Sequence, residues 1–428
     1  MSQTSIPPSD PVPDHWKRNV AFFLTGQTVS LFGSMVVQYA VMWYVTLETR
    51  SGMAIALYAV AAFAPQGIVS IFGGVLADRM NRKKLAIIAD AAIAVVTLVL
   101  ALLMMNGFDE LWVILVAVAV RSLGAGVQTP TVQAMIPQIA PADQLMRVNG
   151  IFQTIASAMA LLAPAAAAAI YAGFGMIPVF FLDVVTAVIG IGLLILVAVP
   201  TLERAAEAVT SYKEDLVEGM HYIVSHKIVR WLLVVFAIIF VLTVAPSFIT
   251  PLLVVRSFGD EPWKLAVLEI AFSIGMVIGG VVVATFLTKR SRIGLILIAT
   301  YSFALLTVAM GLSGNLWVFY GFMFLFGLSV PLFSTSFMTL IQETVEPEKH
   351  GRVFSYVGIV MALATPIGMV VFGPLADVIS VQSLLIAGGF GTMAVMTLAV
   401  FMPSGRAAIA AARAGSPEAE AVADTPAV

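Results

Sequence analysis

The sequence predicts an all-α membrane protein with twelve transmembrane helices, arranged as two pseudo-symmetric halves of six. Three observations predict this fold: an extreme apolar composition, twelve long apolar segments, and short motifs that recur at a nearly constant spacing. The 428 residues are 60% hydrophobic and 11% charged, with a mean hydropathy of +1.01, whereas soluble domains carry about 25% charged residues. A soluble fold cannot bury that much apolar surface, so we expect the chain to lie in a lipid bilayer.

Each predicted span is an apolar segment of roughly 20 residues or more, which is the length that a helix needs to cross the hydrocarbon core. The twelve spans cover 19–47, 53–77, 85–105, 111–134, 148–172, 176–199, 230–255, 263–288, 293–313, 316–341, 353–377 and 381–402. Because the number of spans is even, both termini are expected on the same side of the membrane.

The distribution of cations predicts the orientation. The segment 73–85, GGVLADRMNRKKL, joins the second and third spans and carries four cations. Of the 22 Lys and Arg residues, 18 fall on the side of this loop, whereas Arg50, Arg256 and Lys264 fall on the other side and Arg121 lies within a span. By the positive-inside rule the loop is cytoplasmic. We therefore expect a multi-pass protein of the plasma membrane, the inner membrane of a bacterium, with both termini in the cytoplasm.

The longest polar interruption divides the chain. We expect a cytoplasmic N-terminal tail over 1–18, a first six-helix half over 19–199, an amphipathic cytoplasmic linker over 200–229, a second six-helix half over 230–402 and a disordered cytoplasmic tail over 403–428. The tail is rich in Ala, Pro, Gly and acidic residues, a composition that is typical of disorder.

The two predicted halves share short motifs. The tripeptide Gly73-Gly74-Val75 recurs 206 residues later as Gly279-Gly280-Val281, and Pro164 and Pro366 are 202 residues apart. Because an even number of spans separates the copies, the orientation is preserved and the repeat is a parallel one.

Composition and motifs also exclude several functions. The net charge of −2 argues against a nucleic-acid partner, because phosphate binding needs a basic excess. The chain has no Cys and only four His, which leaves little for a metal centre. There is no G-x-x-x-x-G-K-[ST] sequence for ATP and no convincing hydrolase triad. We therefore expect neither an enzyme nor a cofactor.

The loop between the second and third spans carries a family resemblance. Its matching residues are Gly74, Leu76, Ala77, Asp78, Arg79, Arg82, Lys83, Lys84 and Leu85. They resemble the signature G-x-L-A-D-R-x-G-R-K-K-x-L that the major facilitator superfamily has between helices 2 and 3. Asn81 stands where the family has Gly, and Asn tolerates a positive φ better than most residues, so we expect the turn to survive. The resemblance implies the major facilitator fold.

Other stretches resemble one branch of that superfamily, the drug:proton antiporters that include macrolide efflux proteins. They are Arg121-Ser122-Leu123-Gly124, 141–149, Leu182-Asp183, 218–222, 269–280 and Gly351-Arg352-Val353. The antiporter motif of helix 5, G-x-x-x-G-P-x-x-G-G, is altered here, because alanines replace its glycines around Pro164. The resemblance implies proton-coupled export.

Charged residues within the spans are the candidates for transport and proton coupling. An unpaired Arg at the centre of a span costs about 2.5–3.5 kcal/mol on insertion scales, so Arg121 requires a partner or water. The resemblance implies a role for Arg121 in proton coupling or in the electrostatics of the cavity. Glu269 and Asp183 are embedded carboxyls, which can exchange a proton for a substrate. The alternatives are a structural Arg121 locked to a neighbouring helix and a structural salt bridge for Glu269. For Asp90, pairing with the basic loop or helix packing is an equal alternative.

The same loop supplies the candidate gating residues, which are Gly73, Gly74, Asp78, Arg79, Arg82 and Lys83. Small residues let a helix approach its neighbour closely. The carboxylate of Asp78 can face a helix N-terminus or an Arg when the cytoplasmic side is shut. The second half has Thr285 near the matching position, so we interpret Asp78 as part of an asymmetric cytoplasmic latch.

Candidates for lining a substrate cavity lie on the first span. They are Gln27, Gln38, Tyr39 and Trp43, and the chain's Met and Phe residues add an adaptable apolar surface. Ordinary packing or lipid contact is the alternative for most of these residues.

We therefore predict a secondary transporter that exports amphipathic or lipophilic compounds, multidrug or macrolide-like, by alternating access. Its partners would be a small-molecule substrate, protons as the coupling ion and the lipid bilayer, and we expect a monomer. The alternative is an exporter of a specific metabolite such as a siderophore or a lysophospholipid. A distant alternative is a non-transporting membrane sensor.

The latch interpretation of Asp78 predicts that Asp78→Asn slows transport several-fold without changing the topology, because the substitution removes only the charge. Transport rates and the accessibility of the termini in vesicles measure the two effects. A wild-type rate in this variant would reduce the loop to a marker of orientation.

Overall fold

The computed structural model describes residues 15–199, 212–287, 290–346 and 349–414. Within these ranges the side chains of 71–79, 212–216, 244–247, 351, 404, 408 and 411–414 lie outside the described residues. We call the face that the charges predict to be cytoplasmic the inner face, and the opposite face the outer face.

Twelve of the helices in the described chain are long and apolar enough to cross a membrane. They are α1 (Trp16–Thr49), α2 (Gly52–Arg79), α3 (Arg82–Met105), α4 (Leu111–Ile139), α5 (Leu145–Phe174), α6 (Met176–Leu196), α8 (Lys227–Phe258), α9 (Pro262–Phe286), α10 (Arg292–Leu312), α11 (Leu316–Thr344), α12 (His350–Val378) and α13 (Val381–Phe401). Each lies within five residues of a predicted span at both ends. The predicted all-α architecture of twelve spans is thus confirmed.

Short polar side chains set where several of these helices begin. The side-chain oxygen of Asn81 accepts a hydrogen bond from the backbone N–H of Lys84 at 3.0 Å, and Asn315 accepts from the N–H groups of Trp317 and Val318. Each acceptor satisfies an amide that has no partner within its helix. Asn81 has φ −67°, so the residue that replaces the family's Gly serves as a helix cap, and the turn needs no positive φ there.

The chain divides into two compact units. The first comprises Met1–Ala40 and Pro65–Ala205, and the second comprises Val41–Ala64 and Ala206–Val428. The outer ends of α1 and α2 therefore belong to the second unit. The division into six-helix halves at 19–199 and 230–402 stays a prediction.

In the first unit, α3 packs against both α4 and α6. The apolar core of this unit, on the side of the inner face, includes Phe23, Ala86, Met135 and Ile136, which are all fully buried. In the second unit, α10 packs against both α11 and α13 in the same pattern. The third, fourth and sixth helices of each half thus make corresponding contacts, as a parallel repeat predicts.

Glycines set a close helix crossing in the second unit. A Cβ at Gly275 would lie 2.1 Å from the backbone oxygen of Phe324, and a Cβ at Gly279 would lie 2.3 Å from that of Leu328. From α11, a Cβ at Gly327 would lie 2.2 Å from the oxygen of Phe272. The backbones of α9 and α11 are therefore in direct contact, which is how small residues favour helix association in a membrane.

Two shorter helices, α7 (Tyr212–Ser225) and α14 (Pro403–Ala414), lie outside the spans. Helix α7 lies in the predicted linker and packs on α8 and α12. Helix α14 corrects the prediction of a disordered tail for residues 403–414, because it packs on α8 and α13 and buries Gly405 and Ile409. The rest of the predicted tail, 415–428, lies outside the described residues.

The glycine crossing predicts a sharp difference between two adjacent positions. Gly279→Ala should lower the free energy of unfolding by about 1–3 kcal/mol, because the added methyl overpacks the crossing. Gly280→Ala is the matched control, since a Cβ there has nothing within 4 Å, and it should be neutral. Unfolding in mixed micelles measures both, and equal effects would contradict the direct backbone contact.

Candidate functional site

The structure pairs the Arg embedded in α4 with a carboxylate of α6. A nitrogen of the Arg121 guanidinium lies 2.5 Å from Oδ2 of Asp183. The side chains are 12% and 1% exposed, respectively. Sequence reasoning selected both residues but did not pair them. Because the two charges are opposite, the pair removes most of the cost of placing either residue in a span.

Two hydroxyl groups complete the environment of Asp183. Thr97 Oγ1 on α3 donates to Oδ2 at 2.9 Å, and Ser34 Oγ on α1 donates to Oδ1 at 3.1 Å. Thr97 is also 2.9 Å from the carbonyl oxygen of Ile93, and its single hydroxyl hydrogen can serve only one of these acceptors at a time. Helices α1, α3 and α4 thus all supply donors to one carboxylate of α6.

Small residues on α1 and α6 bring these groups together. A Cβ at Gly33 would lie 1.9 Å from Oγ1 of Thr186 and 3.1 Å from Cα of Asp183, and Gly26 and Gly190 approach each other in the same seam. Gly33 therefore allows α1 to approach until the adjacent Ser34 reaches the carboxylate. Sequence reasoning missed Ser34 and Thr97. The available signal was that Thr97 follows Asp90 by seven residues, and so shares its helix face.

Asp90 lies in a second buried polar cluster of the first unit. Its carboxyl is hydrogen-bonded by the side chain of Gln128 on α4, whose Nε2 lies 3.3 Å from Oε1 of Gln27 on α1. Asp90 and Gln27 are each 5% exposed. The described hydrogen-bond partner of Asp90, the side chain of Gln128, is neutral. The predicted alternative of a direct pair with the basic loop is therefore not what the described contacts show.

Glu269 lies on α9, in the second unit, and its environment differs from that of Asp183. It is half-buried and makes no hydrogen bond or ion pair with another described residue. It lies six residues before Gly275, which places it about 120° around the helix from that glycine. The predicted alternative of a structural salt bridge has no support among the described residues.

The candidate gating residues are only partly described. The side chains of Gly73, Gly74, Asp78 and Arg79 lie outside the described residues, so their roles stay predictions.

Arg82 and Lys83 make contacts within the first unit. Arg82 Nη1 donates to the carbonyl oxygen of Ala134 on α4 at 2.8 Å. Lys83 Nζ donates to the carbonyl oxygens of Ile195 and Val197, at 2.7 and 2.8 Å. A cation there satisfies free carbonyls and complements the negative end of the α6 dipole. These two residues fix the start of α3 to its neighbours.

The four candidates for lining a cavity do not form one group. Gln27 lies in the Asp90 cluster, and Trp43 is fully buried within the second unit. Gln38 is exposed and Tyr39 is half-buried. Only Gln38 and Tyr39 have the accessibility that contact with a substrate needs, and for them the assignment stays a prediction.

Protonation therefore has different consequences at Asp183 and at Glu269. Protonation of Asp183 would neutralise the partner of Arg121 and leave a buried cation unpaired. Protonation of Glu269 would break no described contact, and would remove the cost of keeping a charge in an apolar setting. Glu269 is thus the better placed of the two to load and release a proton.

Comparisons with known sequences point to one family. The sequence matches the Major Facilitator Superfamily over residues 23–369. Macrolide efflux protein A from Streptococcus pyogenes is 31% identical over 382 residues, a match that covers 88% of this chain and 94% of that protein. Macrolide efflux protein A from Enterococcus faecalis is 31% identical over 72% of this chain and 96% of that protein. The multidrug resistance protein MdtG of Citrobacter koseri is 28% identical over 82% of this chain and 86% of its own length.

Solved structures show the same fold. A mutant of the nucleoside transporter NupG superposes with a TM-score of 0.70 at 12% identity, over 90% of this chain and 99% of that chain. A mutant of the peptide transporter POT in complex with alafosfalin superposes with a TM-score of 0.69 at 14% identity, over 93% and 97% of the two chains. At these identities the likeness concerns the fold alone.

The ion pair predicts non-additive stability effects. Arg121→Leu alone, or Asp183→Leu alone, should lower the free energy of unfolding by about 3–5 kcal/mol, because each leaves a buried charge without its partner. The double variant should recover most of that loss. Thr97→Val is a control that removes one donor and should cost about 1 kcal/mol. Unfolding in mixed micelles tests the cycle, and simple addition of the two single effects would contradict the pair.

Proposed function

Because the chain belongs to the major facilitator superfamily, we propose that it exports lipophilic or amphipathic compounds of the macrolide class in exchange for protons. The chain is an efflux transporter of that superfamily rather than an enzyme. One observation carries the choice of substrate class: 31% identity to macrolide efflux protein A, spread over 94% of that protein's length. Such coverage includes both halves of the transporter, so the similarity is not confined to a shared loop motif.

Glu269 is the proposed proton carrier. Its support is the absence of a described cation beside it, together with a position that is half-buried within a span. An embedded carboxyl that gives up its proton to one face and recovers it from the other couples the proton gradient to the movement of a second solute. Each proton that moves inward across 100 mV gains roughly 2.3 kcal/mol from the potential alone.

The Arg121–Asp183 pair is proposed to have a different role. Its carboxylate accepts hydrogen bonds from three helices besides its own, so proton loading there would disturb α1, α3 and α4 together. We assign the pair to fixing these helices and the electrostatic potential beside them. Asp90, whose described hydrogen-bond partner is neutral, is the second candidate for proton binding.

The transport cycle is proposed to alternate access between the two faces. Motion of one half against the other is the usual cycle of transporters that are built from repeats, and the matching contacts of α3 and α10 support such a construction. We also propose that the inner face is cytoplasmic and that one copy of the chain is sufficient for transport.

Glu269→Gln should abolish macrolide flux driven by a pH gradient while leaving a folded, inserted protein, because the amide keeps the shape of the side chain but cannot exchange a proton. The measurement is flux of a labelled macrolide in proteoliposomes with and without an imposed pH gradient. Glu343→Gln is the matched control, since Glu343 is 41% exposed and pairs with Arg292 at 3.4 Å, and it should keep gradient-driven flux.

The outcomes of this assay separate the parts of the proposal. Wild-type flux that ignores the pH gradient would rule out antiport and leave facilitated diffusion. Gradient-driven flux that survives in Glu269→Gln would remove Glu269 from coupling, and Asp90→Asn would then be the decisive variant. A wild-type protein that moves no macrolide under any gradient would overturn the substrate class.

A further inference from the structure

Asp377, which sequence reasoning did not select, makes a contact with several hydrogen bonds at the outer face. It lies at the end of α12, and its carboxylate accepts three hydrogen bonds from the start of α2. The donors are the backbone N–H of Gly52 at 2.7 Å, the backbone N–H of Met53 at 2.8 Å and the hydroxyl of Ser51 at 2.8 Å. All of these residues belong to the second unit.

The position of this carboxylate is unfavourable without α2. An acidic side chain in the last turn of a helix faces the negative end of its own helix dipole. The start of α2 presents the opposite potential and amides that have no partner within their helix. Asp377 is therefore stabilised where it lies by contact with another helix, and that stabilisation is lost when the two helices separate.

Arg256 at the end of α8 joins the same contact. Its guanidinium donates to the carbonyl oxygen of Arg50 at 2.6 Å, to that of Ala376 at 2.5 Å, and to Asp377 Oδ1 at 2.8 Å. Arg50 is a non-glycine residue with φ +48° in the turn between α1 and α2, a conformation that L-residues rarely adopt. The side chain of Arg50 also pairs with Asp260 at 2.5 Å. The strained turn is thus held by groups from α8, from α12 and from the loop after α8.

The helices approach closely beside these polar contacts. A Cβ at Gly52 would lie 2.3 Å from the backbone oxygen of Gly373, and a Cβ at Gly373 would lie 2.3 Å from Cβ of Ala56. Both glycines are needed for this crossing, which brings the start of α2 within reach of Asp377. The contact between α2 and α12 thus has two parts. One is a close helix crossing, which packing favours, and the other is the cap formed by the Asp377 carboxylate, which requires that crossing.

The same short sequence occurs at two places in the chain. Residues 373–377 read G-P-L-A-D, and residues 74–78 read G-V-L-A-D. The first ends α12 at the outer face, and the second lies near the end of α2 at the inner face. In both places a glycine precedes, by four residues, an Asp in the last turn of its helix. The side chain of Asp78 lies outside the described residues, and its role as an inner latch is a prediction from the sequence.

We propose that Asp377, together with Arg256, is an outer latch that holds the start of α2 against the end of α12 and must release whenever the transporter opens to the outside. The proposal rests on the alternating access proposed above. Asp377 is a positioning residue, since it touches neither the proton carrier nor the pair in the first unit. The two G-x-L-A-D segments then act in opposite senses, one stabilising closure of the outer face and the other closure of the inner face.

The test is the distribution of distances between two spin labels on the outer face, measured by double electron–electron resonance in nanodiscs. Glu48→Cys, near the end of α1, and Gly314→Cys, in the loop before α11, are exposed, and the chain has no native Cys. Asp377→Asn should increase the ratio of long to short distances by about tenfold, the order expected when hydrogen bonds to a charged group are lost. Arg256→Gln should shift the ratio in the same direction.

Glu261→Gln is the matched control. Glu261 is also a carboxylate of the outer face in the second unit, and the hydrogen bond from Lys264 lowers the pKa of Glu261 below its ordinary value, so the control likewise removes an ionised group. Its ion pair with Lys264 involves no residue of α1 or α2. The distance distribution of this variant should match that of the unsubstituted protein.

An unchanged distribution in both Asp377→Asn and Arg256→Gln would overturn the latch. If Asp377→Asn fails to yield a monodisperse protein, Arg256→Gln alone decides. Asp78→Asn should shift the same ratio in the opposite direction, and a shift in the same direction would overturn the idea of opposed latches. The measurement needs neither substrate nor a pH gradient. A failure of the latch is therefore distinguishable from a failure of macrolide export or of proton coupling.

Discussion

A polar or charged group inside a hydrocarbon layer must find a partner within the protein, because no water is available to it. This constraint explains most of the contacts that the few embedded polar residues make. Arg121 is paired with Asp183, and the carboxylate of Asp183 is further satisfied by Thr97 and Ser34. Even the small residues serve this requirement, since Gly33 lets α1 come close enough to supply a donor.

The same constraint distinguishes embedded carboxylates that stabilise the fold from those that can change protonation state during transport. Asp183 has its donors on three other helices, whereas Glu269 has no hydrogen bond or ion pair to any other described residue. A fully satisfied carboxylate resists a change of charge, and an unsatisfied one in an apolar setting accepts that change more easily. We therefore propose proton coupling for Glu269, the embedded carboxyl that has no hydrogen bond or ion pair among the described residues.

At the helix ends, contacts are more polar and depend on which elements meet. Lys83 donates to carbonyl oxygens at the end of α6, and Asn81 caps the start of α3. Asp377, at the end of α12, caps the start of α2. Contacts of this kind are individually modest and reversible. They suit a transporter, whose helices must remain intact through the cycle while the contacts between their ends exchange.

The sequence by itself determined the twelve spans and the family, because a span must be about 20 apolar residues long and that requirement is local. It also identified Arg121 and the acids Asp183, Glu269 and Asp90, since any charge in a span is conspicuous. The sequence could not pair Arg121 with Asp183 or reveal Thr97 and Ser34. Nor could it show that Asp90 has a hydrogen-bond partner whereas Glu269 has none among the described residues. It did not select Asp377, counted Arg256 only among the cations of the outer side, and expected disorder where α14 packs. These outcomes depend on which helix faces lie together, and only the tertiary structure decides that, through close crossings such as those at Gly33 and Gly373.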